Sequence, residues 1–122
     1  MGLFRGRSGD ALLVAFVVLA SCLLPARGLG QEQDRDARAR VLFEEGRAAF
    51  DAGHYEGALE RWRASYELSG RAALLYNIGL VHDRLRKNAE AIAAFESFLH
   101  AHPDAPRAEE IRARIRAIRV AM

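Results

Sequence analysis

The sequence predicts an all-α protein built from two antiparallel helical hairpins and a C-terminal capping helix. The first observation is a repeat: GHYEGALERW, which begins at Gly53, has a close counterpart in RKNAEAIAAF, which begins at Arg86, 33 residues later. The second observation is that apolar residues in both copies recur at steps of three and four, the period of a helix, while no segment alternates long enough to indicate a strand. A fixed period in the thirties is typical of helical hairpins that stack side by side.

The first thirty residues predict a signal peptide, 1–30, ahead of the folded domain. A positively charged start precedes the apolar run ALLVAFVVLASCLL at 11–24, and small residues follow it, which is the pattern of a secretory signal. The run is shorter than the roughly 18–20 residues that a membrane-spanning helix needs, so an uncleaved anchor is the weaker alternative. Two processing routes stay open. Cleavage after Gly30 releases a periplasmic or secreted protein, whereas LASC, ending at Cys22, resembles a bacterial lipobox and implies a protein that is lipid-anchored to the envelope.

The composition beyond residue 30 excludes several classes of site. Cys22 is the only cysteine in the chain, so neither a disulfide nor a cysteine metal site is expected in the domain. Removal of 1–30 takes three of the 18 basic and one of the 16 acidic residues, which leaves 15 of each. A domain of balanced charge lacks the basic surface that nucleic-acid binding requires. We therefore expect no nucleic-acid partner, and contact with a membrane only through the signal or a lipid anchor.

The domain is expected to follow a flexible polar linker, 31–38, and to extend over 39–122. Its first repeat, 39–71, contains two predicted helices, which end at Gly53 and Gly70. Each helix has an apolar stripe with helical spacing. The stripes consist of Val41, Leu42, Ala49 and Ala52 in the first helix and of Tyr55, Ala58, Leu59, Trp62 and Tyr66 in the second.

The second repeat, 72–104, is predicted to form the same pair of helices and to stop at the segment HPDAP. Its two stripes have the same helical spacing. They consist of Leu74, Leu75, Ile78, His82 and Leu85, and of Ala91, Ile92, Phe95, Phe98 and Leu99.

A fifth helix, 105–121, is predicted to cap the second repeat, and Pro106 suits its first turn. Its apolar stripe is expected to cover the aromatic residues of the preceding helix. The stripe consists of Ala108, Ile111, Ile115, Ile118 and Met122. Glu110 and Arg114 lie four residues apart on the same helix and are expected to form an ion pair.

Gly46 and Gly79 occupy equivalent mid-helix positions in the two repeats. Glycine inside a helix costs about 1 kcal/mol relative to alanine, so a compensating contact is expected at each site. We expect the missing side chain to let the paired helix approach closely. Trp62 and Phe95 are then expected to fill the space beside that contact.

On these residues the chain resembles the tetratricopeptide repeat family. The second copy carries the family's pattern at Leu75, Ile78, Gly79, Ala91, Phe95 and Pro103, and the first carries it at Leu42, Gly46, Gly53, Tyr55, Ala58 and Trp62. The first copy departs from the pattern at Ala49 and Gly70. The resemblance covers 37–103. It implies an α-solenoid, as in small exported bacterial repeat proteins, that binds partner proteins and has no catalytic activity.

In that family the first helix of each hairpin lines a concave groove, and the resemblance implies the same surface here. The residues expected to line it are Arg40, Phe43, Arg47, Phe50, Tyr76, Asn77, Leu80, Asp83 and Arg84. The aromatic members are not used by the predicted stripes, so they are candidate anchors with charge around them. Because arginine favours carboxylates, a peptide with acidic or C-terminal carboxylate character is the expected ligand. The alternative is that these aromatic side chains pack on the N-terminal segment or on the fifth helix.

The sequence contains no nucleotide-binding loop, nucleophile elbow or zinc-protease motif, so we expect no enzyme activity, cofactor or metal site. His100 and His102 lack a third ligand other than Asp104, and His82 is expected to be a satisfied, partly buried histidine. Two functions stay open. The chain is either a non-enzymatic scaffold that binds a protein partner in the bacterial cell envelope, or a self-associating structural protein, because stacked repeats need about three units for stability. A homodimer is the simplest form of the second.

Overall fold

The computed structural model describes the backbone from Asp10 and the side chains from residue 28 onward. This part of the chain contains five α-helices and no strand: α1 Asp10–Asp51, α2 Tyr55–Ser69, α3 Ala73–Arg84, α4 Asn88–Ala101 and α5 Ala108–Ala121. The all-α prediction is therefore confirmed for the described residues. Two units are distinguished, Met1–Asp34 and Arg35–Met122, and the helical hairpins belong to the second.

The predicted signal peptide, 1–30, and the predicted lipid attachment at Cys22 concern side chains outside the described residues. Both stay predictions. Among the residues that are described, no helix combines the length and the apolar composition that a membrane crossing requires.

Residues 31–38 belong to α1, so the prediction of a flexible linker there is wrong. The segment QEQDRDAR contains neither glycine nor proline and consists largely of good helix formers, so nothing in it interrupts a helix. All eight of these residues are exposed. The polar composition therefore reflects exposure on every side of a helix and not the absence of structure.

The turns that close the two hairpins share one backbone geometry. The N–H of Gly53 donates to the Phe50 carbonyl at 3.0 Å, and the equivalent N–H of Arg86 donates to the Asp83 carbonyl at 3.1 Å. Both turn residues have positive φ, 79° for Gly53 and 59° for Arg86. The repeat in the sequence is thus also a repeat of backbone conformation.

Two apolar clusters form the core of the unit that begins at Arg35. The first buries Ala58, Leu59, Trp62, Leu74, Ile78 and Val81. The second buries Ala91, Phe95, Phe98, Ile111, Ile115 and Ile118. The predicted stripes of α2, α3 and α4 supply most of these residues, and α5 covers the aromatic residues of α4 as expected.

The two mid-helix glycines lie where paired helices meet. A Cβ on Gly46 would lie 2.5 Å from Cδ1 of Trp62, and a Cβ on Gly79 would lie 2.5 Å from Cδ1 of Phe95. These separations are far shorter than the 3.5–4.0 Å at which carbon atoms attract one another. The prediction that each glycine admits an aromatic ring from the paired helix is confirmed.

The buried face of α1 differs from the predicted stripe. Val41 is 58% exposed and Ala52 is also exposed, whereas Ala39 and Gly46 are buried. Gly46 determines the face, because only there can Trp62 approach the helix axis. Residues seven before and four after that glycine lie on the same side of the helix, so Ala39 and Phe50 share its face and Val41 does not.

The last member of the predicted α5 stripe is also wrong. Ala108, Ile111, Ile115 and Ile118 are buried, but Met122 is 71% exposed. Since α5 ends at Ala121, Met122 follows the last helical residue and does not continue the buried face.

Candidate partner-binding groove

An open groove of about 770 Å³ lies between α3 and α5 and extends to the start of α2. It is lined by Tyr55, Tyr76, Leu80, Asp83, Arg84, Arg86, Phe95, Glu110, Ile111 and Arg114. Aromatic and aliphatic side chains thus share one depression with five charged ones. Four of the nine residues predicted from the sequence lie here, and all four belong to α3.

The predicted residues of α1 lie elsewhere. Phe43 and Phe50 are half-buried, and their ring centroids lie 6.5 Å and 5.5 Å from that of Trp62. The indole N–H of Trp62 also donates to the Phe43 carbonyl at 3.0 Å. Both phenylalanines therefore pack on the first core cluster, which the sequence analysis did not expect. Arg47 is exposed and lies 3.6 Å from Glu44.

Arg40 and Phe43 line a second, smaller cavity of about 180 Å³, together with Ser65 and Leu74. Asn77 is half-buried on α3 and is not among the residues that line the larger groove. The nine predicted residues are thus divided between two places, and their role in binding stays a prediction.

Tyr76 stands between the groove and the second core cluster. Its ring centroid lies 6.1 Å from that of Phe95 and 5.9 Å from that of Phe98. Arg107, just before α5, donates to the Tyr76 hydroxyl at 2.9 Å, and its guanidinium carbon lies 5.4 Å from the ring centroid. The alternative that the sequence left open, packing toward the fifth helix, therefore describes much of this side chain.

Asp83 connects α3 to α5 through two hydrogen bonds. Arg114 donates from Nε to Oδ2 of Asp83 and from Nη2 to Oδ1, both at 2.7 Å. The hydrogen bond to Asp83 raises the pKa of Arg114 because it favours the charged guanidinium. The expected pair of Arg114 with Glu110 is wrong, since Asp83 offers both carboxylate oxygens to the planar fork of the guanidinium.

The sequence analysis missed four residues of the groove, namely Arg86, Glu110, Ile111 and Arg114. A signal for three of them was present. Because α5 follows α4 as α3 follows α2, the rule that the first helix of a hairpin lines the groove extends to α5. Arg86 carried no such signal, since a turn residue with positive φ cannot be recognised from an arginine.

The charges of the groove are only partly neutralised. Arg114 is paired with Asp83. In the described part of the chain, neither Arg84 nor Arg86 has a carboxylate oxygen within 4.0 Å. Since Glu110 is the remaining acidic residue of the lining, three arginines lie with two carboxylates and the excess charge is positive.

The comparison with family models identifies this arrangement. The model of the tetratricopeptide repeat matches residues 43–106 and, a second time, 76–120. The chain belongs to the tetratricopeptide repeat family. Such repeats generally mediate protein–protein interaction and generally form a non-enzymatic fold. No curated protein matches the chain. The second match runs through α5, so this helix continues the tetratricopeptide series as well as capping it.

The inward-facing histidine of the second tetratricopeptide hairpin is buried but not fully satisfied. His82 is 4% exposed, and its Nε2 lies 3.4 Å from a guanidinium nitrogen of Arg63. Its Nδ1 has no hydrogen-bond partner among the described residues. Burial lowers the pKa of His82 below the ordinary value of 6.5, and the positive charge of Arg63 lowers it further. The expectation of a satisfied histidine is therefore wrong for one ring nitrogen.

The other histidines lie apart from the groove lining. His100 and His102 are exposed at the C-terminal end of α4, and Asp104 is exposed after it. Throughout the described residues, no group of three or more His, Cys, Asp or Glu side chains is placed to hold a metal ion.

Proposed function

We propose that this chain is a non-enzymatic interaction module that binds an extended segment of a partner protein in the groove between α3 and α5. The observation that carries the proposal is the groove itself. Its volume of about 770 Å³ lies within the range of roughly 300–1,000 Å³ that is usual for ligand sites. Its lining combines apolar contact area with a few charged groups, as recognition of a peptide requires.

The groove is also held in shape before any partner arrives. The Asp83–Arg114 pair and the contact of Arg107 with Tyr76 connect α3 to the α5 side of the groove at two points. Arg119 of α5 forms an ion pair with Glu96 of α4. A binding surface that needs little ordering loses less conformational entropy when it binds.

The proposed location is the bacterial cell envelope, with the chain acting there as a scaffold. The support for this is the N-terminal pattern: a positively charged start, the apolar run 11–24 and the small residues that follow. Detection of Gln31 as the first residue of the mature protein would support soluble export. Labelling of Cys22 by radioactive palmitate would support lipid anchoring instead.

The experiment that tests binding uses a photo-crosslinking amino acid at Leu80, inside the groove, and the same amino acid at Val41, an exposed position on α1 outside it. We expect a partner to be crosslinked in the source cells from position 80 and not from position 41. The crosslinked protein is then purified and titrated against the wild-type chain. We expect Leu80→Ala to weaken binding at least tenfold while the melting temperature shows that the variant is folded. Unchanged affinity in a folded Leu80→Ala variant would refute the proposal.

Self-association is the second candidate, and one observation favours it. Val41 is 58% exposed on α1 and is an apolar side chain without cover in the described structure. A homodimer joined along this face would hide it. Light scattering of the wild type and of Val41→Glu separates the candidates: an obligate dimer that the substitution dissociates supports self-association, and a stable monomer supports the groove.

A further inference from the structure

The two hairpin turns differ at one residue that their shared geometry makes directly comparable. Gly53 and Arg86 lie 33 residues apart, both have positive φ, and both donate to the carbonyl three residues earlier. The next hydrogen bond is shared as well. The N–H of His54 donates to the Ala49 carbonyl at 2.8 Å, and the N–H of Lys87 donates to the His82 carbonyl at 2.9 Å.

Arginine is an unfavourable choice for this conformation. Glycine adopts positive φ without steric cost, whereas a side chain with a Cβ is disfavoured there, and the tolerated exceptions are mainly Asn, Asp and His. Arg86 is the only non-glycine residue with positive φ in the described part of the chain. The first hairpin uses glycine at the same point, so the fold itself does not require arginine.

No contact within the described structure offsets this strain. The side chain of Arg86 is exposed, and no carboxylate oxygen of the described residues lies within 4.0 Å of it. Residues held in sparsely populated backbone conformations tend to occur at ligand-binding sites. Arg86 lies in the lining of the groove, beside Arg84, which is also without an ion pair there.

We propose that Arg86 and Arg84 bind a carboxylate of the partner segment, and that Arg86 is a residue that determines specificity for acidic peptides. The inference rests on the proposed function, since it names the chemistry of the segment in the groove. A guanidinium binds a carboxylate through two parallel hydrogen bonds, and two unpaired guanidinium groups on one side of the groove can hold one acidic side chain or a C-terminus.

The lining of the groove favours an acidic peptide over other anions. Asp83 and Glu110 lie in the same groove, so a continuous phosphate backbone would meet two negative charges there. Tyr76, Leu80 and Ile111 offer apolar contact that suits peptide side chains. A flat lipid surface could not reach these residues inside a depression.

The test uses two fluorescein-labelled peptides and the purified chain. The first peptide has a central leucine flanked by four glutamates, and the second has glutamine at every glutamate position. Fluorescence anisotropy measures the affinity of each. We expect the glutamate peptide to bind at least about tenfold more tightly than the glutamine peptide, and its affinity to fall as salt screens the charges.

Three variants test the role of Arg86. Arg86→Gln keeps the strained backbone and removes the charge, and Arg86→Gly removes both. We expect each to weaken binding of the glutamate peptide about tenfold, which is the usual effect of losing a charge-assisted hydrogen bond. Arg86→Gly is also expected to raise the melting temperature, because glycine relieves the strain. Lys87→Gln is the matched control: it removes one positive charge from the next residue, which is not part of the groove lining, and should change affinity less than twofold.

A combination of weaker binding and higher stability in Arg86→Gly would support the proposal, because a purely structural role cannot produce it. Equal affinity of the two peptides, or no binding of the glutamate peptide, would overturn it. So would unchanged affinity in Arg86→Gln, or tighter Arg86-dependent binding of an oligonucleotide or of vesicles that contain anionic lipid. If the glutamine peptide binds equally well and Leu80→Ala abolishes that binding, this inference fails while the proposed function stands.

Discussion

The two hairpins share their positions but hold their first helices by different means. In the first hairpin, two hydrogen bonds fasten α1 to α2: the Trp62 indole donates to the Phe43 carbonyl at 3.0 Å, and the Ser65 hydroxyl donates to the Ala39 carbonyl at 2.7 Å. In the second hairpin, the equivalent positions, 33 residues later, are Phe95 and Phe98.

The second hairpin uses its two phenylalanines to bind a further helix. Phe95 and Phe98 pack against Ile111, Ile115 and Ile118 of α5, and none of them contributes a polar group. The first hairpin has one helix pair to fasten, whereas the second must connect on two sides. The comparison teaches that the glycine–aromatic contact is the constant part of this repeat, and that the residues around it are free to change with the neighbours they meet.

The largest expected effect distinguishes the two kinds of contact. Phe98→Ala should lower the free energy of unfolding by about 3–5 kcal/mol, since it leaves a cavity between α4 and α5. Ser65→Ala, at the equivalent position, should cost about 1–2 kcal/mol, because it leaves the buried Ala39 carbonyl unpaired. Urea denaturation of both variants measures the difference. Equal losses would show that the two positions are not energetically different.

The constant contact can be broken by filling it. Gly79→Leu should lower the free energy of unfolding by about 1–3 kcal/mol or more, because its side chain must displace the ring of Phe95. Gly46→Leu should do the same against Trp62. Gly57→Ala is the matched control, since a Cβ at Gly57 has no neighbouring atom within 4 Å. An unchanged melting temperature in Gly79→Leu would show that the helices do not meet at the glycine.

A smaller effect is expected where α5 joins α3. Asp83→Asn should cost about 1 kcal/mol or less, because the side chain of Arg114 is 53% exposed and exposed ion pairs contribute little. The cost should shrink as salt is added. Glu44→Gln, which removes a looser pair with Arg47 at 3.6 Å, serves as the comparison and should cost less still. A loss larger than that of Ser65→Ala would contradict this ranking.

The smallest effect is confined to acid. Since the pKa of His82 is lowered in the folded protein, the unfolded chain binds the proton more readily. Stability should therefore be complete above the unfolded pKa of about 6.5 and fall as the pH drops through and below that value. The groups around the ring are Arg63 of α2, Lys87 and Glu90.

Replacement of this histidine should remove that slope. In His82→Phe, the free energy of unfolding should change less between pH 7.5 and pH 5.5 than it does in the wild type, as measured by urea denaturation at each pH. The exposed His100→Gln variant controls for loss of an imidazole elsewhere. If the wild type and His82→Phe show the same pH dependence, His82 does not titrate with unfolding.

Periodicity in the sequence was sufficient to predict the helices and most of the core. The pairing of Gly79 with Phe95 follows from matched positions in two copies, and that pairing is found. The face of α1 was not predicted correctly, because Val41 and Leu42 are apolar and outweighed Gly46 in the stripe. An absent side chain contributes nothing to an apolar pattern, although it determined where Trp62 could pack.

The candidate site was less predictable than the core for a physical reason. The role of Arg114 depends on which carboxylate reaches it, and Asp83 is 31 residues away in the chain. Local spacing suggested Glu110 instead. The positive φ of Arg86 is equally invisible in a single copy, and it becomes meaningful only when the turn is compared with Gly53.

The contact between α4 and α5 has a practical consequence for protein engineering. The face that α5 covers, centred on Phe95 and Phe98, is supplied entirely by the second hairpin. A duplicate of 72–104 spliced in before α5 would present that same face to the terminal helix once more. The molecule therefore contains both an extendable segment and its own end piece, and arrays of chosen length can be assembled from this gene without inventing a new terminus.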